Sequence, residues 1–544
     1  MMMTVKMVGH HDDYVLADVL RLFFGTISRP APDILAAGQP GGDALSYLAG
    51  DASGDPAGAL AGSENWVLIS ECQQPATENW PTKAKSMDEE ILARPSDDEG
   101  LVSDSAVKVS TRFWINQAAI DHNQSPFQVI ENFVPPTDVR RELKRQLYLM
   151  LERITDTRFP WGSLTGVRPT QIVEQLLAAT GSVEDTRADL IDRWRLSSAK
   201  ADLAIRTSLS EQRVLSLLPP EDPLIYAGIP FCPSRCSYCS FIAQDAHHRE
   251  AWLSPYVDAM IEEARRVFAI LPVHSHAFYL GGGTPTSLPD VLLRKLLEGL
   301  KGILPLYPDA EITIEAGRPD TITAEKLSIL REFGATRICI NPQTFNQPTL
   351  DRIGRHHTVE QVFTAMDLAR RAGFDHINMD LIAGLPGETP ADFAFSVDQL
   401  LSLQPESATV HTLAVKRSSR FAQEVKPEEL VVLAINKPDP ALIEMVALAQ
   451  ERLIEAELYP YYLYRQKDVA SGLENVGFAR IGHECRYNVG MMSDRLAVIG
   501  LGSGAITKRV DGRKVTRAPN DKDIAHYIAR LDELVQRKTS LFTD

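Results

Sequence analysis

Residues 226–241 read YAGIPFCPSRCSYCSF, and the three cysteines in this stretch, Cys232, Cys236 and Cys239, are spaced CxxxCxxC. Three thiolates on one short loop can hold three corners of a four-iron, four-sulfur cluster, leaving the fourth iron open to a small molecule. A structural zinc ion is the alternative. Zinc takes four tetrahedral ligands, usually as paired short spacings, and no second CxxC pair stands in this chain, so His247 or His248 would have to complete the set. The other cysteines, Cys72, Cys339 and Cys485, are far apart among apolar or mixed neighbours and read as inert thiols.

Around this loop, strands and helices alternate. Residues 224–229, 277–280, 310–316, 337–341, 376–382 and 407–413 carry strand patterns, and helices are expected near 255–271, 289–302, 324–333, 359–372 and 391–403. Six strands with intervening helices predict an α/β fold, a partial (β/α)6 barrel of TIM-like kind over 223–420, with its chemistry at the carboxyl ends of the strands. Upstream, residues 1–135 suggest an α+β region interrupted by an acidic, disordered insertion at about 26–105, with strand content at 66–69 and 107–115. A helical connector is expected over 136–222, with Leu143, Leu147, Met150 and Leu151 on one face and a helix opening at Pro169 and running toward Gly181. Residues 421–544 read as a mostly helical C-terminal domain that covers the substrate.

The chain has 544 residues, 44% of them hydrophobic, and a net charge of -16. Between residues 26 and 105 there are 14 acidic against 4 basic residues, a balance of -10 that leaves -6 for the rest. That charge argues against a nucleic-acid partner, which needs a basic surface. Anionic substrates would then be met by local cations. No uninterrupted apolar span of membrane length is present, the start MMMTVKMVGHHDDYVLADVL lacks a signal-peptide core, and a cysteine cluster of this kind suits a reducing interior, so a cytoplasmic protein is expected.

Further motifs follow the cysteine loop in order: YLGGGTPT at 279–286, TIEAGRPD with Glu315, NPQTF with Gln343, DRIGRHHT with Arg355, and NMDLIAGLPGET with Asp380. Glycines at a strand end let backbone amides approach a ligand, though alone they mark only a tight turn. Asp380 can accept from hydroxyls, Gln343 can bridge polar groups, and Arg355 can form a forked pair with a carboxylate.

The cysteine loop resembles the radical S-adenosylmethionine superfamily. The ordered set IPFC, GGGTPT, TIEA, Gln343, RxGRxH and DLIxGLPGET is similar to the oxygen-independent coproporphyrinogen III oxidase family over residues 224–413. LTGVRPTQI before the barrel and YPYYLYRQKDVASGLENVGFA after it resemble the HemZ branch, the coproporphyrinogen dehydrogenases. The resemblance implies a [4Fe-4S] cluster on Cys232, Cys236 and Cys239, with Tyr226 near it, and S-adenosylmethionine as second cofactor. It implies that Gly282, Gly283, Thr284 and Glu315 meet the methionine portion, Arg355 its carboxylate, and Gln343 and Asp380 the ribose. Tyr238, Ile382 and Ala414 would meet the adenine. The implied reaction is oxidative decarboxylation of two propionates of a tetrapyrrole, coproporphyrinogen III, by a 5′-deoxyadenosyl radical, with a low-potential donor of flavodoxin or ferredoxin type. Arg318, Arg465 and Lys467 are the cations expected to seat the propionates. Two departures stand beside this: the better-known branch has His where this chain has Gly228, and a fourth Cys where it has Phe241. Haem-chaperone relatives share Phe there and bind haem without decarboxylation, so a haem carrier is one alternative and a radical methyltransferase acting on haem another.

Overall fold

The computed structural model describes residues 2–8, 13–24, 27–28, 44–49, 65–73, 106–114, 125–166, 168–239, 244–246, 248–414, 438–466, 470–512 and 514–543. These fall into two compact units. One takes the described residues of Met1–Ile205, Val431–Asp439 and Arg465–Leu473, the other those of Arg206–Leu430, Pro440–Tyr464 and Glu474–Asp544.

The first unit is built on six strands, β1 (Met2–Val8), β2 (Ile27–Ser28), β3 (Ala44–Ala49), β4 (Asn65–Gln73), β5 (Val107–Trp114) and β6 (Gln128–Val134), in the order β2-β3-β1-β4-β5-β6. The expected strands at 66–69 and 107–115 are β4 and β5. Three strands thus lie within the stretch expected as an acidic insertion, whose other residues are outside the described ones. Val107, Val109 and Phe113 alternate along β5 and share one core with Val139, Leu143, Leu147, Met150 and Leu151 of the helix Val139–Thr155. That alternation on a strand and the three-to-four spacing on a helix produce two apolar faces that water exclusion joins.

The second unit carries an eleven-stranded sheet. Its strands are β7 (Leu224–Ile229), β10 (Ser275–Gly282), β11 (Leu306–Gly317), β12 (Arg337–Ile340), β13 (Ile377–Ala383), β14 (Ser407–Thr412), β15 (Tyr459–Arg465), β16 (Glu474–Ala479), β17 (Val498–Leu501), β18 (Ile506–Asp511) and β19 (Lys514–Pro519). Two short strands, β8 (Phe231–Cys232) and β9 (Gln244–Asp245), pair separately. The sheet order is β15-β16-β14-β13-β12-β11-β10-β7-β17-β18-β19, and β7 and β10 to β14 run parallel in sequence order. These are the six strands expected from the pattern, and the helices Glu250–Ile270, Asp290–Lys301, Ala324–Phe333, Val359–Arg371 and Pro390–Ser402 separate them. Thr323, Thr358 and Thr389 cap three of those helices by accepting from the third backbone amide.

The C-terminal stretch differs from expectation. It contributes helices, among them Pro440–Glu455 and Leu531–Thr543, but its five strands extend the barrel sheet at both edges, β16 antiparallel to β14 and β17 parallel to β7. An open parallel sheet leaves unpaired backbone groups at each edge, and these strands satisfy them. The apolar, glycine-rich run at 496–506 supplies β17, where only glycine fits at Gly500, since a Cβ there would lie 2.8 Å from the Ile506 backbone.

Candidate functional site

The cysteine loop leaves β7 at Ile229 and is fastened to the glycine motif at the end of β10. The Gly283 amide donates to Ile229 O at 2.6 Å and the Thr284 amide to Phe231 O at 2.7 Å. A Cβ at Gly283 would lie 2.4 Å from Phe231 O, so the close approach requires glycine. The Thr284 hydroxyl lies 3.5 Å from Cys232 Sγ. Cys236 is buried, with Arg318 Nη1 at 3.8 Å and Arg355 Nη1 at 4.0 Å from its sulfur, and the Cys239 amide donates to Cys236 O at 3.2 Å.

Burial pushes the Cys232 thiol up to about 11, with the neighbouring cysteines adding to it. A buried thiol ionises when a metal takes its charge, and the sulfurs of this loop stand close together with two guanidiniums beside Cys236. The loop therefore fits a cluster held by three thiolates. Among the described residues, no three His, Cys, Asp or Glu side chains converge as ligands of a single metal ion would.

Beyond the loop, polar groups line the carboxyl ends of the strands. Glu315, on β11, accepts from the Tyr279 hydroxyl at 2.6 Å and from the Gly282 amide. Burial, with the charge of Asp380 behind it, raises its carboxyl to about 7 against those hydrogen bonds. Asp380 on β13 is deeply placed too, and burial would raise it, but His411, Asn378 and Thr409 more than offset this and hold it below its ordinary value. Gln343 stands at φ 70°, a left-handed conformation unusual for a side-chain-bearing residue. Its amide donates to Asp380 O and its carbonyl accepts from the Ile382 amide, each at 2.9 Å, which holds that conformation.

Arg355 is buried. It donates to Asn341 O, to Gly317 O at 3.4 Å and to the Tyr238 hydroxyl at 3.5 Å. Its Nε, Gln343 Oε1 and Asn341 Oδ1 are buried with no hydrogen-bond partner in the protein. Three such atoms from neighbouring segments are the signature of a polar ligand site. Tyr238 packs against Ile353, Ile382, Leu385 and Leu413, an apolar cluster that Ala414 directly follows in sequence. Tyr226 stacks with Tyr279 and Tyr487 at centroid distances of 6.3 and 6.0 Å, and burial drives its phenol up, so it is neutral.

A model of the radical SAM superfamily matches residues 226–400, the span that holds these groups except Thr409, His411, Leu413, Ala414 and Tyr487. The Bacillus subtilis protein HemZ, named oxygen-independent coproporphyrinogen-III oxidase-like, is 36% identical over 407 residues, which cover 72% of this chain and 78% of that protein. The chain belongs to the radical SAM superfamily. Its cofactors are accordingly a [4Fe-4S] cluster and S-adenosylmethionine. Heme chaperone HemW of B. subtilis is 31% identical over 310 residues, 57% of this chain and 76% of its own. A solved structure of Escherichia coli coproporphyrinogen III oxidase HemN, described as a radical SAM enzyme, matches at 26% identity with a TM-score of 0.46, covering 60% of this chain and 73% of that one.

Within this radical SAM barrel, the three cysteines, Tyr226, Tyr238, Gly282, Gly283, Thr284, Glu315, Gln343, Arg355, Asp380, Ile382 and Ala414 occupy the strand ends and loops just described. Two of the three cations expected to seat substrate carboxylates, Arg318 and Arg465, are engaged by other groups of the protein. Arg318 is 3% exposed, forms a forked pair with Asp320 at 3.0 and 3.2 Å, and donates to Ser234 Oγ at 3.1 Å beside Cys236. Arg465 belongs to the first unit, where it is buried, donates to the carbonyls of Leu164 and Gly472, and lies over the Trp161 ring at 5.4 Å. Carbonyl-rich turns capture a guanidinium as well as any ligand does, and nothing in YPYYLYRQK marks that outcome. Lys467 lies outside the described residues, as do Phe241 and His247. No helix of the described residues is long and apolar enough to cross a membrane.

Tyr279 opens the YLGGGTPT stretch but reads as a core aromatic of β10, Asn475 lies within YPYYLYRQKDVASGLENVGFA without standing out there, and His411 belongs to none of the quoted motifs.

Proposed function

We propose that this radical SAM protein is a haem- or porphyrin-handling member of its family, one that binds a tetrapyrrole at the mouth of the barrel without decarboxylating it. The observation that carries this reading is the engagement of Arg318 and Arg465. Two of the three guanidinium or ammonium groups suited to holding propionates in register with a reacting centre are committed to Asp320 and to backbone carbonyls. Relatives named heme chaperone, at 28–31% identity, support it, as does Phe241 in place of a fourth cysteine.

In this reading Cys232, Cys236 and Cys239 hold the cluster, with Thr284 and Arg318 bonded to its sulfur ligands. Gly282, Gly283 and Glu315 receive the ammonium end of S-adenosylmethionine, and Arg355 its carboxylate. Gln343 and Asp380 bond the ribose hydroxyls, while Tyr238, Ile382 and Ala414 flank the adenine. The pair supplies a strong hydrogen-abstracting radical when bound and reduced. Around it the chain excludes water with Ile382, Leu385 and Leu413, and keeps the Tyr226 and Tyr279 phenols neutral by burial.

Decarboxylation of coproporphyrinogen III is the second reading, supported by 36% identity to a protein named coproporphyrinogen-III oxidase-like. Anaerobic incubation of cluster-loaded protein with coproporphyrinogen III, S-adenosylmethionine and a strong reductant separates them. Stable haem binding with unchanged porphyrinogen is expected. Protoporphyrinogen formed together with 5′-deoxyadenosine would establish the oxidase, and a methylated, ring-opened tetrapyrrole would establish a methyltransferase.

A further inference from the structure

Asn475 lies on β16, far beyond the six barrel strands, yet the sheet register brings it to the cofactor end. β13 pairs Asp380 with Thr409 and Ile382 with His411. β14 pairs Thr409 with Gly477 and Val410 with Val476, and continuing that register sets His411 opposite Asn475. Side chains alternate along strands, so Ile382, His411 and Asn475 form one row on the face that carries Asp380.

The contacts agree with this row. Asn475 Oδ1 accepts from the Thr412 amide at 3.1 Å and lies 3.3 Å from His411 Nδ1. A backbone N–H can only donate, so the amide orientation is settled, and His411 Nδ1 must carry the hydrogen that faces Oδ1. His411 Nε2 then lies 3.7 Å from Asp380 Oδ2, the carboxylate that also accepts from Asn378 Nδ2 at 2.7 Å. What remains is Asn475 Nδ2. It is buried on a side chain 1% exposed and has no partner in the protein. A buried amide donor left unpaired costs free energy, and a fold that fixes its orientation through two other bonds is built to spend that donor on a ligand.

We propose that Asn475 is a specificity-determining residue for the adenosyl group, its Nδ2 donating to a ring nitrogen of the adenine while His411 and the Thr412 amide hold its Oδ1. The donor is neutral and so suits an aromatic nitrogen, and the row begins at Ile382, which packs in the apolar cluster with Tyr238. The assignment rests on S-adenosylmethionine binding and is independent of what becomes of the tetrapyrrole.

The test is equilibrium binding to the anaerobically reconstituted, cluster-loaded protein of S-adenosylmethionine and of its 1-deaza, 3-deaza and 7-deaza analogues, each lacking one ring acceptor. Wild type is expected to bind one analogue about tenfold more weakly than the parent, as loss of one buried hydrogen bond requires. Asn475→Asp keeps the acceptor for Thr412 and His411 but removes the donor. It should no longer bind the parent more tightly than that analogue, with unchanged iron content. Equal wild-type affinity for the three analogues would overturn the proposal without any variant, as would an Asp variant that keeps the wild-type discrimination. A variant that loses porphyrin affinity but no S-adenosylmethionine affinity would assign the donor to the tetrapyrrole and equally overturn it. Wild type that bound no S-adenosylmethionine at all would instead remove the cofactor reading itself.

Discussion

Arg318 Nη1 lies 3.8 Å from Cys236 Sγ while the opposite edge of the same guanidinium forms a forked pair with Asp320. The arginine is thereby a fixed positive charge at the cluster loop, held at a set angle by a carboxylate. Arg318→Met should remove that charge and lower the reduction potential of the bound cluster, because a nearby cation favours the more negative, reduced form. It should also destabilise the fold by about 3 kcal/mol, the cost of leaving Asp320 without its partner. Redox titration followed by electron paramagnetic resonance checks the first outcome, and Arg318→Met with Asp320→Asn the second: the double variant should regain stability but not the potential.

Glu315 predicts a pH dependence with a definite sign. Its folded value of about 7 exceeds the ordinary 4.5, so between those values the folded chain keeps a proton that the unfolded chain has released. Stability should therefore fall as pH rises from 4.5 to 7 and level off above, a total of about 3 kcal/mol from this group. Glu315→Gln, measured by chemical denaturation without cofactor, should abolish that slope and unfold later than wild type at pH 8. A slope unchanged in the variant would assign the effect to another group.

Gln343 combines a left-handed backbone with a buried side-chain Oε1 that has no partner in the protein. At φ 70° a glycine is at ease and a β-branched residue is not. Gln343→Gly should be as stable as wild type or gain up to about 1 kcal/mol, yet bind S-adenosylmethionine about tenfold more weakly. Gln343→Val should lose both stability and affinity. Denaturation midpoints and equilibrium binding on the same preparations test the separation.

Lys538 and Glu263 form a fully buried ion pair that fastens the helix Leu531–Thr543 to Glu250–Ile270. Glu263 also accepts from Asn520 Nδ2 and the Tyr527 hydroxyl at 2.8 Å each and from the Gly502 amide at 2.7 Å. Lys538→Met should cost about 3 to 5 kcal/mol, since it strands a buried carboxylate. Adding Glu263→Gln should recover much of that loss in urea unfolding. If the double variant is no more stable than the single one, the lysine acts through packing and not charge.

The barrel was readable from local pattern because each of its parts is local. The apolar run at 224–229 and the alternation with capped helices in the stretches after it need only neighbours a few positions away, so β7 and β10 to β14 appear where the residues place them. The cofactor loop is local in the same way: seven successive covalent links set the spacing from Cys232 to Cys239, and no other part of the chain is needed to see it.

Pairing across the chain is where that legibility stops. Nothing around Asn475 tells it apart from any other strand asparagine; its meaning comes from His411, 64 positions away, and from the register of β14 against β16. Arg465 and Arg318 look like free cations in sequence, since a guanidinium's partners are chosen by whichever carbonyls and carboxylates the fold delivers to it. Sequence alone determined the barrel, the three thiols and the cofactors that they imply. Tertiary structure decided which charges are free to meet a ligand, because hydrogen bonds are selected by distance in space, which chain order does not record.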